Sequence, residues 1–229
     1  MLNIKAKVCG INNTENLKSL LTLPVDMVGF IFYDKSKRNC TLEPKEVRDA
    51  FNKANPNCKK VGVFVNATVE EVLEKHQSYD LDYIQLHGNE SIFYCQELKE
   101  HELKLIKAFS IDDDFNFSNT SAYSFFCDYF LFDTKGKLPG GNGVKFNWDV
   151  LKTYKGKTPY LLSGGIGPDD AALVREFVGA QFSFVDVNSK FEIEAGYKNL
   201  DVVAEFLYKI KRPDKFNDNS KLKKIANGF

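Results

Sequence analysis

Tyr160-Leu161-Leu162-Ser163-Gly164-Gly165-Ile166-Gly167-Pro168-Asp169-Asp170 is the stretch on which the fold turns. It reads as a short apolar strand, a glycine-rich turn and a helix start. Glycine lets the backbone approach a ligand with no Cβ in the way. A helix N-terminus just beyond offers unpaired N–H groups and a positive dipole end. The plan is repeated downstream: Phe182-Ser183-Phe184-Val185-Asp186-Val187 is a strand, and Asn188-Ser189 turns the chain with small polar groups. Two such units late in a chain of 229 residues point to an α/β fold, a closed eight-stranded parallel (β/α)8 TIM barrel. In that architecture a phosphate commonly sits at the loops after strands 7 and 8. Taken alone, Gly164-Gly165 is equally a plain βα turn, so the remainder of the chain must supply the other six units.

It does so in order. Strands are expected at Ile4 to Cys9, Met27 to Phe32, Lys60 to Val65, Tyr83 to Leu86, Leu103 to Phe109 and Tyr129 to Phe132. Helices are expected at Glu15–Leu23 capped by Thr14, Glu43–Asn52, Val69–Gln77 capped by Thr68, and Glu90–Lys99. The acidic, Asn/Ser-rich segment Ser110 to Ser121 reads as a loop or one helical turn, and Asp133 to Gly143 as a flexible glycine-rich loop. A short helix follows at Asn147–Lys152, and a last one at Asn199–Ile210. Strand and helix alternate with connections too long for hairpins, which argues for parallel βαβ units. A doubly wound open sheet is the runner-up.

Lysine plus arginine equals aspartate plus glutamate, 31 each, so no general attraction to nucleic acid or an anionic membrane is expected. The five cysteines (Cys9, Cys40, Cys58, Cys95, Cys127) form no metal-ligand spacing and no disulfide framework. Reduced thiols in a cytoplasmic protein fit best. The first residues read as a strand, not a signal peptide, and the longest apolar runs are of strand length, too short to span a bilayer. One domain over 1–210 is expected, with a basic, polar, solvated extension over 211–229; a monomer without metal or cofactor is the working expectation.

In such a barrel the loops after the strands build the site. The polar residues there are Cys9, Arg38, His87, Asp133, Asp186, Asn188 and Ser189. Each has a plainer reading. Cys9 can be a core thiol, Asp133 a turn cap, Arg38 a surface cation and His87 a satisfied loop histidine.

Their joint placement resembles a known family. Lys7-Val8-Cys9-Gly10-Ile11, Gln85-Leu86-His87-Gly88 and Leu131-Phe132-Asp133-Thr134 are similar to segments of phosphoribosylanthranilate isomerases. So are Gly140-Gly141-Asn142-Gly143, Phe146-Asn147-Trp148, Leu162-Ser163-Gly164-Gly165 and Asp186-Val187-Asn188-Ser189-Lys190-Phe191-Glu192, all in the family's order. The resemblance implies a cofactor-free Amadori rearrangement of a phosphoribosyl substrate in tryptophan biosynthesis. It makes Cys9 the general base and Asp133 the general acid, and it gives Arg38 the anthranilate carboxylate. Gly164-Gly165 and Asn188-Ser189 correspond to the phosphate turns. Contacts with substrate are likewise expected from His87, Gly141 and Asp186. Electropositive surroundings, helix N-termini and the bound imine are expected to favour the Cys9 thiolate.

The chain departs from the family pattern at Lys37, Asn147, Asn188, Ala195 and Asn199, none of which removes a proposed catalytic group. Other phosphosugar barrels fit less well: Phe64-Val65-Asn66 lacks the lysine an indole-glycerol-phosphate synthase needs, and among the three histidines only His87 ends a strand, against the metal-binding set of an epimerase. A non-catalytic phospho-ligand barrel is the remaining alternative. Lys107 on the fifth strand is expected to face the mouth, with no role assigned.

Overall fold

The computed structural model describes residues 4–134, 147–177, 179 and 181–211. Eight parallel strands close into a barrel in sequential order. They are β1 (Lys5–Cys9), β2 (Met27–Phe32), β3 (Lys59–Phe64), β4 (Tyr83–Leu86), β5 (Leu105–Ile111), β6 (Tyr129–Thr134), β7 (Tyr160–Leu162) and β8 (Phe182–Val187). The seam is β1 on β8, with Lys7 opposite Asp186 and Val8 opposite Val187. The helices are α1 (Thr14–Leu20), α2 (Pro44–Ala54), α3 (Val69–Tyr79), α4 (Ile92–Glu100), α5 (Ala171–Glu176) and α6 (Leu200–Lys211). Among the described residues no helix is long and apolar enough to cross a membrane.

The period of two along each strand sorts its side chains into two cores. Ala6, Val8, Val28, Phe30, Ile84, Leu86, Leu105, Phe130, Phe132, Leu162, Val185 and Val187 pack outward in the shell between barrel and helices. Met27, Val61, Ile106, Ala108, Leu131, Leu161 and Phe184 fill the interior. The same parity turns Lys7 and Cys9 of β1, Asp133 of β6 and Asp186 of β8 inward, with His87 following on from Gln85. The strand ends therefore converge chemical groups that lie far apart in sequence.

Several local expectations are corrected. Asn13, not Thr14, caps α1: its extended backbone lets Oδ1 accept from Asn16 N–H at 2.9 Å. Thr14 is already helical, and its hydroxyl donates to Glu46 of α2 at 2.7 Å. Both β5 and β6 run two residues further than their polarity suggested. Ser110 pairs with Asp133 and Ile111 with Thr134, because polar side chains here alternate inward at the mouth while Ile111 is buried in the outer shell. Asp133 thus stands on a strand rather than a loop. Between β5 and β6, where a loop or one helical turn is expected, stands a nine-residue 3-10 helix, Phe117–Phe125. It presents Phe117 edge-on to Phe132 at 5.3 Å and tilted on Tyr154 at 5.4 Å, aromatic contacts that fill the shell where an α-helix would otherwise lie. A second 3-10 helix, Trp148–Thr153, is capped by Asn147. After β8 comes a small antiparallel pair absent from the sequence reading, β9 (Glu192–Glu194) with β10 (Tyr197–Lys198). Finally α6 runs through Lys211, whose ammonium pairs with Asp26, so the helix passes the expected boundary at 210.

Candidate active site

Cys9 is the last residue of β1, and its surroundings are charged. Lys7, two residues earlier on the same inward face, is fully buried, with Nζ 2.9 Å from Asp186 Oδ1. Gly29 on β2 leaves the room this needs: a Cβ there would sit 2.6 Å from Cys9 Sγ and 3.2 Å from Lys7 Cε. Burial pushes the Cys9 thiol above its ordinary value; Lys7 works against that rise, Asp186 adds to it, and Lys198 opposes it more weakly. The electropositive surroundings expected for Cys9 are present, but in the free protein desolvation outweighs them and the thiol form is favoured.

Gly10 follows at φ +79°, where an L side chain is strained, and a Cβ there would lie 2.9 Å from both Arg38 Cδ and Asn188 Oδ1. Glycine lets Arg38 and Asn188 close over the backbone beside Cys9. Arg38 is held in turn. Its Nε donates to both Glu192 oxygens at 2.9 and 3.0 Å, and Nη2 donates to Oε2 at 2.7 Å. Lys198 of β10, fully buried, donates from Nζ to Glu192 Oε1 at 2.6 Å and to Asn188 Oδ1 at 2.7 Å. Burial favours a neutral Glu192 carboxyl, yet Arg38 and Lys198 together hold it below the usual carboxylate range. The hairpin after β8 is therefore a strap: Glu192 fixes Arg38 and Lys198 fixes Asn188. Neither residue was singled out from sequence. Glu192 was only the end of a motif, and nothing in the local pattern around Lys198 marks a lysine that turns inward.

Across the mouth, Asp133 is held at both oxygens. Oδ1 accepts from Thr134 N–H at 2.9 Å, and Oδ2 lies 3.3 Å from His87 Nε2. Gln85 Nε2 is 2.8 Å from His87 Nδ1, so an amide donating there places the ring proton on Nε2, directed at Asp133. Gln85 Oε1 and Thr134 Oγ1 are buried with no hydrogen-bond partner among the described residues. Gln85 is a member of the site that sequence gave only as part of a motif.

The two proposed phosphate turns adjoin these groups. Gly164 and Gly165 take φ of +91° and +64°. Among the described residues no acceptor meets either of their backbone N–H groups. A Cβ on Gly164 would lie 2.2 Å from Thr134 Oγ1 and 3.0 Å from Asp133 Oδ1, so this turn is pressed against the strand carrying Asp133. Ser163 Oγ lies 3.3 Å from Asp186 Oδ2, linking the end of β7 to β8. The helix start beyond is partly used internally, since Gly167 N–H donates to Asp170 Oδ2 at 2.6 Å. Asn188 and Ser189 stand at the end of β8, where Ser189 opens a short 3-10 turn through Phe191. Gly141 lies outside the described residues.

Lys107 does not face the mouth. Its parity is that of Leu105 and Phe109, which pack in the outer shell, and its Nζ donates to Glu90 at 2.9 Å and Gly88 O at 2.8 Å. Glu90 in turn accepts from Asn66 N–H at 2.9 Å and Gly88 N–H at 3.0 Å. The pair braces the loops after β3 and β4, the second of which follows directly from His87.

Known proteins resemble this chain along nearly the whole barrel. The family model for N-(5'-phosphoribosyl)anthranilate (PRA) isomerase matches residues 6–209. The N-(5'-phosphoribosyl)anthranilate isomerase of Parabacteroides distasonis is 45% identical over 207 residues, covering 90% of this chain and 93% of that protein. That of Phocaeicola vulgatus is 38% identical, covering 90% and 97%. Among solved structures, the phosphoribosyl anthranilate isomerase of Thermotoga maritima superposes with a TM-score of 0.79 at 31% identity, covering 91% of this chain and 98% of that one. A phosphoribosyl anthranilate isomerase in complex with reduced 1-(o-carboxyphenylamino)-1-deoxyribulose 5-phosphate gives 0.76 at 30% identity, with the same coverage. With a family model matched across nearly the whole barrel and relatives this similar over nearly their full lengths, the chain belongs to the N-(5'-phosphoribosyl)anthranilate isomerase family.

Proposed function

We propose that this chain isomerises N-(5'-phosphoribosyl)anthranilate to 1-(2-carboxyphenylamino)-1-deoxyribulose 5-phosphate, the aldose–ketose step of tryptophan biosynthesis, with Cys9 as base and Asp133 as acid. The observation that carries this reading is family membership over residues 6–209, in a barrel that turns Cys9 and Asp133 inward at the C-terminal ends of two of its strands. In the first step a protonated Asp133 gives its proton to the ribose ring oxygen. The C1'–O bond breaks with its electron pair going to oxygen, and the anilino nitrogen lone pair forms the C1'=N iminium. In the second, the Cys9 thiolate takes the C2' proton. The C–H pair becomes the C1'=C2' bond, and the iminium pair returns to nitrogen. Tautomerisation of the enolamine gives the ketose, so the electrons balance within the substrate and no external oxidant enters.

The binding roles have physical support. The guanidinium edge made by Nε and Nη2 is engaged by Glu192, and the Nη1–Nη2 edge lies outside that fork, so one Arg38 can be anchored by the strap and still pair bidentately with the anthranilate carboxylate. The N–H groups of Gly164 and Gly165 suit a phosphate, and Asn188 and Ser189 adjoin them from β8. The chain is read as a cytoplasmic monomer, a compartment with which five free thiols are compatible. The extension past α6 is proposed to be a solvated tail with no part in catalysis. Loss of phosphoribosylanthranilate fluorescence on adding purified protein tests the activity directly; no turnover would leave a barrel that binds phosphorylated ligands without transforming them.

A further inference from the structure

A thiolate base at Cys9 must form where burial disfavours it, and the charge that lies beside it on the same face of β1 has no part in the scheme above. Lys7 precedes Cys9 by two residues, so both side chains point into the barrel, Lys7 one layer deeper. Its ammonium is fully buried and anchored 2.9 Å from Asp186, its register partner on β8. Its Cε and the Cys9 sulfur both crowd the point where a Gly29 Cβ would stand, at 3.2 and 2.6 Å from it. We propose that Lys7 is the positioning residue for the Cys9 base: anchored by Asp186, its ammonium lies under the sulfur as a fixed counter-ion and holds the thiolate in place to take the substrate proton.

The alternative role for such a pair is structural, closing the β1–β8 seam. A seam closure would be served equally by a neutral hydrogen-bonded pair, and burying two charges for that purpose alone is costly. The ammonium has a second partner in Cys9: burial works to lower the Lys7 pKa, but Asp186 first and Cys9 next pull it above its ordinary value, so Lys7 stays charged. The other charges facing Cys9 are already committed elsewhere. Lys198 from β10 is divided between Glu192 and Asn188, and Arg38 from the loop after β2 is forked on Glu192. Asp186 is the anion that bears on Cys9 most directly among the described residues, and Lys7 stands paired to it. Of these three cations Lys7 is the one on the strand of Cys9 itself, two residues away on the same face, and it acts on the thiol more strongly than Lys198, so it is the cation best placed to answer the charge of the sulfur.

This inference rests on Cys9 being the base, and the test separates the two. Alkylation of the Cys9 peptide by iodoacetamide, quantified by mass spectrometry against pH in the folded protein, reads the thiol without turnover. The pH profile of kcat reads the base. For Lys7→Met we expect the Cys9 alkylation midpoint and the acid limb of kcat to rise together by at least about one pH unit, which is about tenfold less thiolate near pH 7. Activity should recover toward wild type at high pH. Lys7→Met with Asp186→Asn removes both charges at once and is the variant to use should the single change fail to fold; its alkylation midpoint should still rise, by less. Reduced activity with an unmoved alkylation midpoint in either variant would assign Lys7 to the seam and overturn the proposal. A shifted alkylation midpoint with a Cys9→Ala variant of wild-type activity would keep the Lys7–Cys9 coupling and reject Cys9 as the base.

Discussion

The His87 ring reaches Asp133 across the mouth, Nε2 to Oδ2 at 3.3 Å, and is itself oriented by Gln85 Nε2 at 2.8 Å from Nδ1. With Thr134 N–H on the other oxygen, the carboxyl is aimed by two donors from two strands. His87 therefore acts through Asp133. His87→Ala is expected to lower kcat about tenfold with little change in KM, well short of the ~10²–10⁴-fold loss expected for Asp133→Asn. Steady-state kinetics of the two variants, compared side by side, decide this; equal losses would make His87 an acid in its own right.

Arg38→Lys keeps the charge and loses the planar fork. A lysine cannot hold Glu192 along one edge and a substrate carboxylate along the other. We expect KM to rise about tenfold, equivalent to ~1.4 kcal/mol, with kcat within about twofold of wild type. An unchanged KM would remove the anthranilate carboxylate from Arg38.

The strap gives the protein a dependence on acid. Glu192 has a folded pKa below its ordinary value, so its contribution to stability is complete above the unfolded value of about 4.3 and is lost as pH falls through the lower folded one. Glu192→Gln leaves Arg38 and Lys198 without their shared anion. It should cost about 3 kcal/mol near pH 7, the low end for a broken buried pair because Arg38 is partly exposed. The gap between variant and wild type should then narrow as pH falls below the unfolded value and close once it passes the lower folded one. Urea unfolding at neutral and at acid pH checks both parts.

Gly164 has no room for a side chain. A methyl group there would press on Thr134 at 2.2 Å, from a backbone at φ +91°. Gly164→Ala should lower the unfolding free energy by at least ~1–2 kcal/mol from the left-handed backbone alone. It should also lower kcat, since the displaced atoms belong to the strand that carries Asp133. Thermal melts with parallel kinetics test this, and a variant as stable and as active as wild type would contradict the close packing.

The alternation of apolar runs with capped helical segments made the barrel legible, since each buried strand carries its own signal. Met27–Phe32, Tyr83–Leu86 and Phe182–Val187 appear at the expected bounds, and Thr68 closes its capping box with Glu71. Signals failed where polarity and local structure part company. Ser110 and Asp133 are polar because they point into the mouth, not because the strand has ended. Phe117–Phe125 carries no α-helical period because its inward positions, Phe117, Thr120 and Tyr123, recur every three residues, while Phe125 is exposed. The site was legible as a set of residue types at strand ends. Its support was not: the strap of Glu192 and Lys198, the amide of Gln85 and the cation of Lys7 act over contacts between strands distant in sequence, and Lys107 was misplaced because its parity on β5 shows only once the strand's limits are known.

The most direct test is a crystal structure of this protein with reduced 1-(o-carboxyphenylamino)-1-deoxyribulose 5-phosphate. Bound phosphate on the Gly164–Gly165 and Asn188–Ser189 turns is predicted, with Cys9 Sγ and an Asp133 oxygen each about 3–3.5 Å from the C1'–C2' end of the sugar chain, from opposite sides. A ligand whose sugar chain lies beyond reach of either side chain, or whose phosphate sits on other turns, would contradict it.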